Sequence, residues 1–587
     1  MLSAIRPHCQ ELTFVSNGKL NAESEKKVSE YADEVIQREN KGFDVWAYKT
    51  TLEKYGWEKL SQYDEVIMMN HTIMGPVYPF DEVFREMDSR TDLDFWGLTT
   101  YHGSPYDPYG KCRYKYLPLH IQSHFIAVRK KMIADPFFHR YWKKMPAVRS
   151  YAEAVCYHEA IFTKTFEDRG FHWAAYVDTS DMHEHNACPI IFTPVTLIKE
   201  KRCPIFKRRS FFHQYDDLCR FSIGYQGDQL MELLEQEHLY DTRMIWENIL
   251  RTCNMADIMR CMCLNRTLPD NECASSPKRS STALIMHLYY EDQYSLFYNY
   301  ALSMPNDTDV YITVSSEEKQ KKLQDIFSSG PWNNVEVRLI ENRGRDVSAL
   351  LVGCSDVPER YDLICFVHDK RSHSGEYGII GESFLEHCCK NVLASKEYVQ
   401  NVIGAFEKES RMGMLFAPPP CFGGYLQTIS NEWSANKDVT EQLRARLELT
   451  VPVDFSKEPV APLGTMFWFR SDALKDLFAY GWKYSDFPEE PNELDGTILH
   501  AIERIYPFSA QQAGYYSVWC ETEDYARRYM INLYHMLRKE RVQFTQEPLS
   551  NIYRVRIKRF VKARTPKPIW KLAKRIYHAI GGRKWVG

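Results

Sequence analysis

"ENRGRD" at 341–346 and "ENKGFD" at 39–44 are nearly the same polar word, each centred on a glycine. Each follows a β-like run, "NVEVRLI" (334–340) in one place and "ADEVIQR" (32–38) in the other. A surface loop can carry such a word by accident, so the flanks decide. Upstream stand "DVYITVSS" (309–316) and "ELTFVSN" (11–17), both apolar runs that end in turn residues. Downstream stand "YDLICFVHDK" (361–370) and "YDEVIMMNHT" (63–72). "PLGTMFWFRSDAL" (462–474) then pairs with "HIQSHFIAVRKKMI" (120–133), and "DGTILHAIE" (495–503) with "EAIFTKTFE" (159–167), whose acids share one spacing. Five matches in one order indicate two homologous copies of an α/β unit. Strands alternate with helical patterns such as "EEKQKKLQDIF" (317–327), which predicts parallel βαβ units and a doubly wound sheet. Ligands of such sheets lie beyond the carboxyl ends of the strands. Both hexapeptides belong at that edge, beside "HDK" (368–370) and "NHT" (70–72).

The copies are unequal. The second opens with a full strand, "TALIMHLYY" (282–290), before its first helix. The first opens on "MLSAIRPHCQ", which reads as the end of that helix, so its first strand is expected to be missing. The expected domains are 1–193, a connector and linker at 194–281, a second domain at 282–549, and a tail at 550–587. The connector carries a basic loop, "KEKRCPIFKRRSFF" (199–212), and helical stretches at 227–238 and 242–263.

A chain of 587 residues is too long for one core. A net charge of −4 gives no general nucleic-acid signature. The sixteen cysteines are scattered without zinc-site spacing, which suits free thiols in a reducing cytosol. No apolar run reaches the length of a membrane span, and the N-terminus lacks a signal-peptide core, so a cytoplasmic location is expected. Charge is uneven: residues 550–587 hold twelve Lys/Arg and no Asp or Glu. Ile569, Leu572, Ala573, Ile576, Tyr577 and Ile580 recur there at helical spacing, with Lys571, Lys574 and Arg575 on other faces. This predicts a basic amphipathic helix lying on an anionic membrane surface; a helix packed on the protein's own acidic body is the plainer alternative.

Motifs of nucleoside-triphosphate binding, Rossmann dinucleotide binding, zinc proteases and serine hydrolases are absent from the sequence. The stretches "RENKGFDVWAYKTTLEKYGW", "YDEVIMMNHTIMGPVYPFDEVF", "DFWGLT", "ENRGRDVSALLVG", "MFWFRSDALKDLF" and "DFPEEPNELDGTILHAIER" resemble the rhamnan synthesis protein F family. Its members are bacterial glycosyltransferase-like proteins of rhamnose-containing cell-wall polysaccharide and O-antigen assembly. The resemblance covers nearly the whole chain. It implies two tandem GT-A-like domains, a nucleotide-sugar donor such as dTDP-L-rhamnose, a lipid-linked glycan acceptor, and work at the inner face of the cell membrane. The rival reading is that one or both domains are inert scaffolds that hold the acceptor or other transferases.

A departing nucleoside diphosphate needs cations or N–H donors, and the acceptor hydroxyl needs a carboxylate base. Asn342, Gly344, Arg345 and Asp346, with Asn40, Gly42 and Asp44 in the first copy, are the expected donor-binding residues. Gly344 lets the backbone turn or approach a ligand closely; a turn held by Asn and Asp side chains is the plainer alternative. His368, Asp369 and Lys370 stand where a GT-A enzyme often has its metal-binding DxD. One carboxylate beside Lys370 and Arg371 makes bound Mg2+ less favoured, and Mg2+ or Mn2+ is left open as a cofactor. Members of the family carry Asn-Asp where the first copy has "NHT", so His71 takes the acid's place. Asp495 and Glu159 are the candidate bases, each at an expected helix start, where N-capping also favours an acid. Glu503 and Glu167 are expected to be exposed. His120, His124, His287 and His500 read as structural, with His287 the one nearest the edge.

Overall fold

The computed structural model describes residues 1–183, 186–273, 280–371, 378–493 and 495–544. The expected tail helix therefore lies outside the described residues.

The N-terminal half holds β1 (Thr13–Ser16) and β2 (Glu34–Gln37) as a parallel pair. A separate sheet is formed by β3 (Glu65–Met69), β4 (Phe95–Gly97), β5 (Phe125–Arg129) and β6 (Trp173–Ala175), in the order β3-β5-β4-β6. In it β5 runs antiparallel to both neighbours. The C-terminal half holds β7 (Asn265–Leu268), β8 (Thr282–His287), β9 (Asp309–Val314), β10 (Asn334–Leu339), β11 (Leu363–His368), β12 (Met412–Phe416), β13 (Phe467–Arg470) and β14 (Tyr516–Thr522). These make one sheet in the order β7-β14-β12-β13-β11-β8-β9-β10, with only β13 antiparallel.

The two orders correspond over six strands, and two strands of the C-terminal sheet, β7 at its edge and β8 inside it, have no counterpart. β1 and β2 match β9 and β10, β3 matches β11, and β5, β4 and β6 match β13, β12 and β14. β8 pairs with both β9 and β11, and no described strand of the N-terminal half fills that place between β1 and β3. The consequence shows in burial. Ala283, Leu284, Ile285 and Met286 of β8 are fully buried, as are Val310, Tyr311 and Ile312 of β9. All four residues of β1 remain half-exposed. Each large apolar side chain of β8 contributes roughly 2 kcal/mol of burial that the N-terminal half lacks.

The connector is helical, but it also supplies strands. Its helices Gln226–Gln236, Thr242–Thr252 and Met255–Cys261 bury Leu230, Ile249 and Ile258 in the same core as the large sheet. Trp246 packs on Tyr516 in a tilted pair with ring centroids 4.6 Å apart, and Gln511 donates to the carbonyls of Leu250 and Cys253. β7 extends the sheet beside β14, and Phe206–Lys207 pairs with Ile73–Met74 of the N-terminal half. The strands that accompany its helices have two and four residues, which leaves too little alternation to detect in the sequence.

The last described helix, Glu523–Phe544, turns Tyr529 and Leu533 inward and leaves Met530, Ile531, Tyr534 and Leu537 exposed in a stripe. Among the described residues no helix is long and apolar enough to cross a membrane.

Candidate active site

The two hexapeptides fold alike. Gly344 has φ +82° and Arg345 +50°; Gly42 has +84° and Phe43 +54°. In each, the residue before the glycine donates to the carbonyl of the Glu, Arg343 to Glu341 and Lys41 to Glu39. The glycine then opens a helix, Arg345–Leu351 or Phe43–Tyr55. Its first turn carries Asp346 or Asp44 at the carboxyl edge of the strands.

In the C-terminal half, register aligns His287 of β8 with Thr313 and His368. His287 Nδ1 lies 3.0 Å from the Thr313 hydroxyl, and burial pushes its pKa down to about 4. His368 has Nδ1 2.9 Å from the Asp369 carbonyl and Nε2 2.9 Å from the Gly464 carbonyl. Asp346 Oδ2 is buried, 3.8 Å from His368 Nε2, and has no hydrogen-bond partner. Asp369 accepts the backbone N–H of Tyr289 and Tyr290, yet burial outweighs these bonds and pushes its pKa up to about 6.

The structure separates the expected donor residues. Arg345 pairs with Glu490 at 3.1 Å, so its charge is already engaged. Asn342 is exposed. Lys370 stands 4.9 Å over the Phe384 ring, and Arg371 pairs with Asp292. Glu503, expected on the surface, is only 12% exposed: it accepts the Gly464 N–H at 2.6 Å and pairs with Arg504. The helix Ile498–Gln512 turns this face inward, which its charge pattern conceals. Tyr506, within electrostatic reach of Asp346 and Glu503, has a buried hydroxyl without a partner. Sequence reasoning missed Tyr506; its place in an apolar helix run gave no signal. Glu167 is exposed and accepts from Trp173.

The candidate bases differ from the expected helix starts. Asp495 lies two residues before the N-cap, Thr497. Its oxygens accept Ser434 Oγ at 2.6 Å and Asn436 Nδ2 at 2.7 Å. Burial alone would raise its pKa; these bonds and the Gly496 N–H outweigh it and hold the value at about 2. Glu159 is not at a helix start. Its helix begins at Tyr151, capped by Ser150, and Glu159 ends a π-turn, Val155–Glu159, inside it. Such turns recur at functional sites. Its carboxylate makes no hydrogen bond or ion pair with a described residue. The hydroxyls of Tyr101, Tyr109 and Tyr151, raised first by burial, also feel its charge.

In the N-terminal half Asp44 accepts Asn70 Nδ2 at 2.7 Å, and burial raises its pKa. Burial lowers that of His71, with Arg208 adding to the effect. Pairing of Phe206–Lys207 brings Lys207 to the same edge, where Nζ donates to Thr72 Oγ1 at 3.1 Å. Gly42 is buried and Asn40 exposed. His120, His124 and His500 each lie within hydrogen-bond distance of a neighbour: the Pro118 carbonyl, the Thr99 hydroxyl and the Thr497 hydroxyl. For Mg2+ or Mn2+ the fit is poor. Among the described residues no three His, Cys, Asp or Glu converge as ligands.

With this geometry in view, the relatives are informative. A family model described as Rhamnan synthesis protein F matches residues 12–515. An uncharacterized protein WxcX, found in two strains of Xanthomonas campestris pv. campestris, is 25% identical over 238 residues. That match covers 40% of this chain and 32% of the relative. Protein y4gN of Sinorhizobium fredii is 26% identical over 162 residues, 27% of this chain and 39% of the relative. The chain thus matches only about a third of the length of these curated relatives. Among solved structures, a mannosyltransferase from Pyrobaculum calidifontis, in complex with GDP-Man and Mn2+, is 12% identical. It covers 43% of this chain and 60% of its own, with a TM-score of 0.26, too low to bear on the fold.

Proposed function

Because this chain belongs to the rhamnan synthesis protein F family, we propose that it is an inverting glycosyltransferase that moves rhamnose from dTDP-L-rhamnose to a lipid-linked glycan. In this reading residues 1–193 and 282–549 are tandem GT-A-like modules, and the C-terminal one binds the donor. The observation that carries it is Asp346: a buried carboxylate oxygen without a partner, at the carboxyl edge of β8, β9 and β11. An unmet buried acceptor costs about 1–3 kcal/mol unless a ligand hydroxyl meets it. A sugar or ribose hydroxyl donating to Asp346 fits that need, with His287 and Tyr506 beside it.

Lys370, two residues beyond the end of β11 and without an ion pair to a described residue, is the cation offered to a diphosphate leaving group. Among the described residues no three His, Cys, Asp or Glu converge as metal ligands, and in this reading Lys370 and backbone N–H groups neutralise the leaving diphosphate. Asp495, held ionised by Ser434 and Asn436, takes the acceptor hydroxyl's proton as the glycosidic bond forms; its low pKa makes that transfer late. A second reading, in which the N-terminal module is an inert acceptor-holding scaffold, is favoured by the vacant strand. No described residue there stands where His287 stands.

The test is nucleotide release by purified protein from dTDP-rhamnose, UDP-glucose and GDP-mannose, with and without EDTA. Turnover of dTDP-rhamnose that persists in EDTA is expected, with Asp495→Asn lowering transfer about 10²–10⁴-fold. Equal response to the three donors overturns the rhamnose assignment.

A further inference from the structure

A cleft of about 420 Å³ opens behind the loop that grips Asp495. Its volume is that of a small-molecule site. Its walls come from the connector, through Arg260, from the loop 429–437, and from the inward face of the helix Glu523–Phe544. We propose that this cleft is the saccharide subsite of the acceptor, taking an uncharged pyranose unit next to the one that receives the transferred sugar. The proposal rests on the glycosyltransferase reading above.

Three observations carry it. The first is the lining. Trp433, Phe455, Trp519 and Tyr529 all face the cleft, and Trp433 and Phe455 meet edge to face at 4.7 Å. Pyranose rings present C–H faces that pack on aromatic planes, with hydroxyls around the rim. Glu432 supplies a carboxylate for such hydroxyls; it accepts the Ser430 N–H at 3.0 Å.

The second is an unmet donor. Trp519 Nε1 is buried and has no hydrogen-bond partner. A buried N–H without an acceptor is costly, and a sugar oxygen in the cleft would supply one. The charges on the connector side are already matched: Arg260 pairs with Glu458, and Lys457 with Asp257. Among the described lining residues Lys437, exposed at the rim, and Glu432 make no ion pair, and their opposite charges leave no excess cation to favour a diphosphate over a neutral sugar.

The third is position. The loop has two faces. Ser430 and Trp433 line the cleft, while Ser434 and Asn436 bond Asp495. Arg504 of the helix after Asp495 donates to the Glu432 carbonyl at 2.8 Å and fixes the loop against that helix. A pyranose held against Trp433 therefore sits one loop residue away from the grip on the proposed base.

The experiment is steady-state transfer from dTDP-rhamnose to short rhamno-oligosaccharides, comparing wild type with Trp519→Phe and Glu432→Gln. Loss of one neutral hydrogen bond predicts a rise in acceptor KM of about threefold to tenfold, with donor KM within about twofold. Equal rises in both constants, or no change in acceptor KM, overturn the proposal. Rhamno-oligosaccharide titration followed by tryptophan fluorescence, without donor, separates it from the parent reading. Saturable quenching in wild type that weakens in Glu432→Gln supports the subsite even if no donor turns over, and no quenching refutes it. Should Trp519→Phe fail to fold, Glu432→Gln and Tyr529→Phe read the cleft from two other walls.

Discussion

Carboxylates at matching places in this chain are held in opposite ways. Asp495 has both oxygens bonded and stays ionised down to about pH 2, whereas Glu159 has no described partner. Spacing put the two acids in register, but their partners lie about 60 residues away for Asp495, a distance that local pattern does not carry. Asp346 was legible because a left-handed glycine two residues before it forces a recognisable word. Glu503 and Tyr506 were not, since their roles come from a fold-level approach to Gly464 and Asp346. A different acid gives a clean test of burial. Glu521 is 2% exposed with Oε1 unpartnered, and burial pushes its pKa up to about 7. The folded state then holds a proton that the unfolded state releases near pH 4.5. Stability from this group therefore falls as pH rises from about 4.5 to 7 and stays low above. Glu521→Gln should raise stability at pH 8 by as much as about 3 kcal/mol, with a smaller gain at pH 5.5. Thermal denaturation at the two pH values reads this, and equal gains at both would refute it.

At the scale of elements, the glycine turns are the best-specified parts. A Cβ on Gly344 would lie 2.8 Å from Phe487, which is 1% exposed and cannot move aside. A Cβ on Gly42 would lie 2.2 Å from Trp46 Cγ and 2.6 Å from Trp46 Cβ, atoms close to the backbone of its own helix that cannot swing clear. Gly481 has φ +76° and open space around it, so alanine there meets backbone strain alone. Gly344→Ala and Gly42→Ala should each cost about 1–3 kcal/mol more than Gly481→Ala. Melting temperatures of the three variants check the ranking; equal losses would show that strain alone matters. The strands β8 to β11 were legible as apolar runs with turn residues at their ends. β7, the Phe206–Lys207 strand and the π-turn before Ala160 were not, because four residues or fewer carry no period and a π-turn keeps the helical pattern on both sides.

At the scale of the whole molecule, the strand order shared by the two halves follows the matched sequence words, while the connector's place had no such signal. Val77, Ile198 and Phe206 share one core with the connector helices and the large sheet, so the connector is a packed layer and not a spacer. The same scale governs location. The exposed stripe Met530, Ile531, Tyr534 and Leu537 precedes a tail with twelve Lys/Arg and no Asp or Glu. Each basic residue near an anionic leaflet contributes roughly 1 kcal/mol. A chain ending at residue 549 should lose binding to vesicles containing anionic lipid while keeping transfer to a soluble acceptor. If it still floats with those vesicles, the stripe or the basic loop at 199–212 holds the protein there instead of the tail.

The divided sheet of the N-terminal half also sets how the molecule yields. Across most of the large sheet, opening one strand breaks ladders on both sides. Between β1 and β3 no described ladder exists, and the stretch 11–37 is held there by a small side-chain network: Glu11 to Tyr55, Tyr63 and Lys59, and Thr13 to the same Tyr55 hydroxyl. That network lies at a partly wet surface and does not continue into the large sheet. The protein therefore has a seam, and its N-terminal βαβ unit can loosen as a separate cooperative unit while the C-terminal core stays closed.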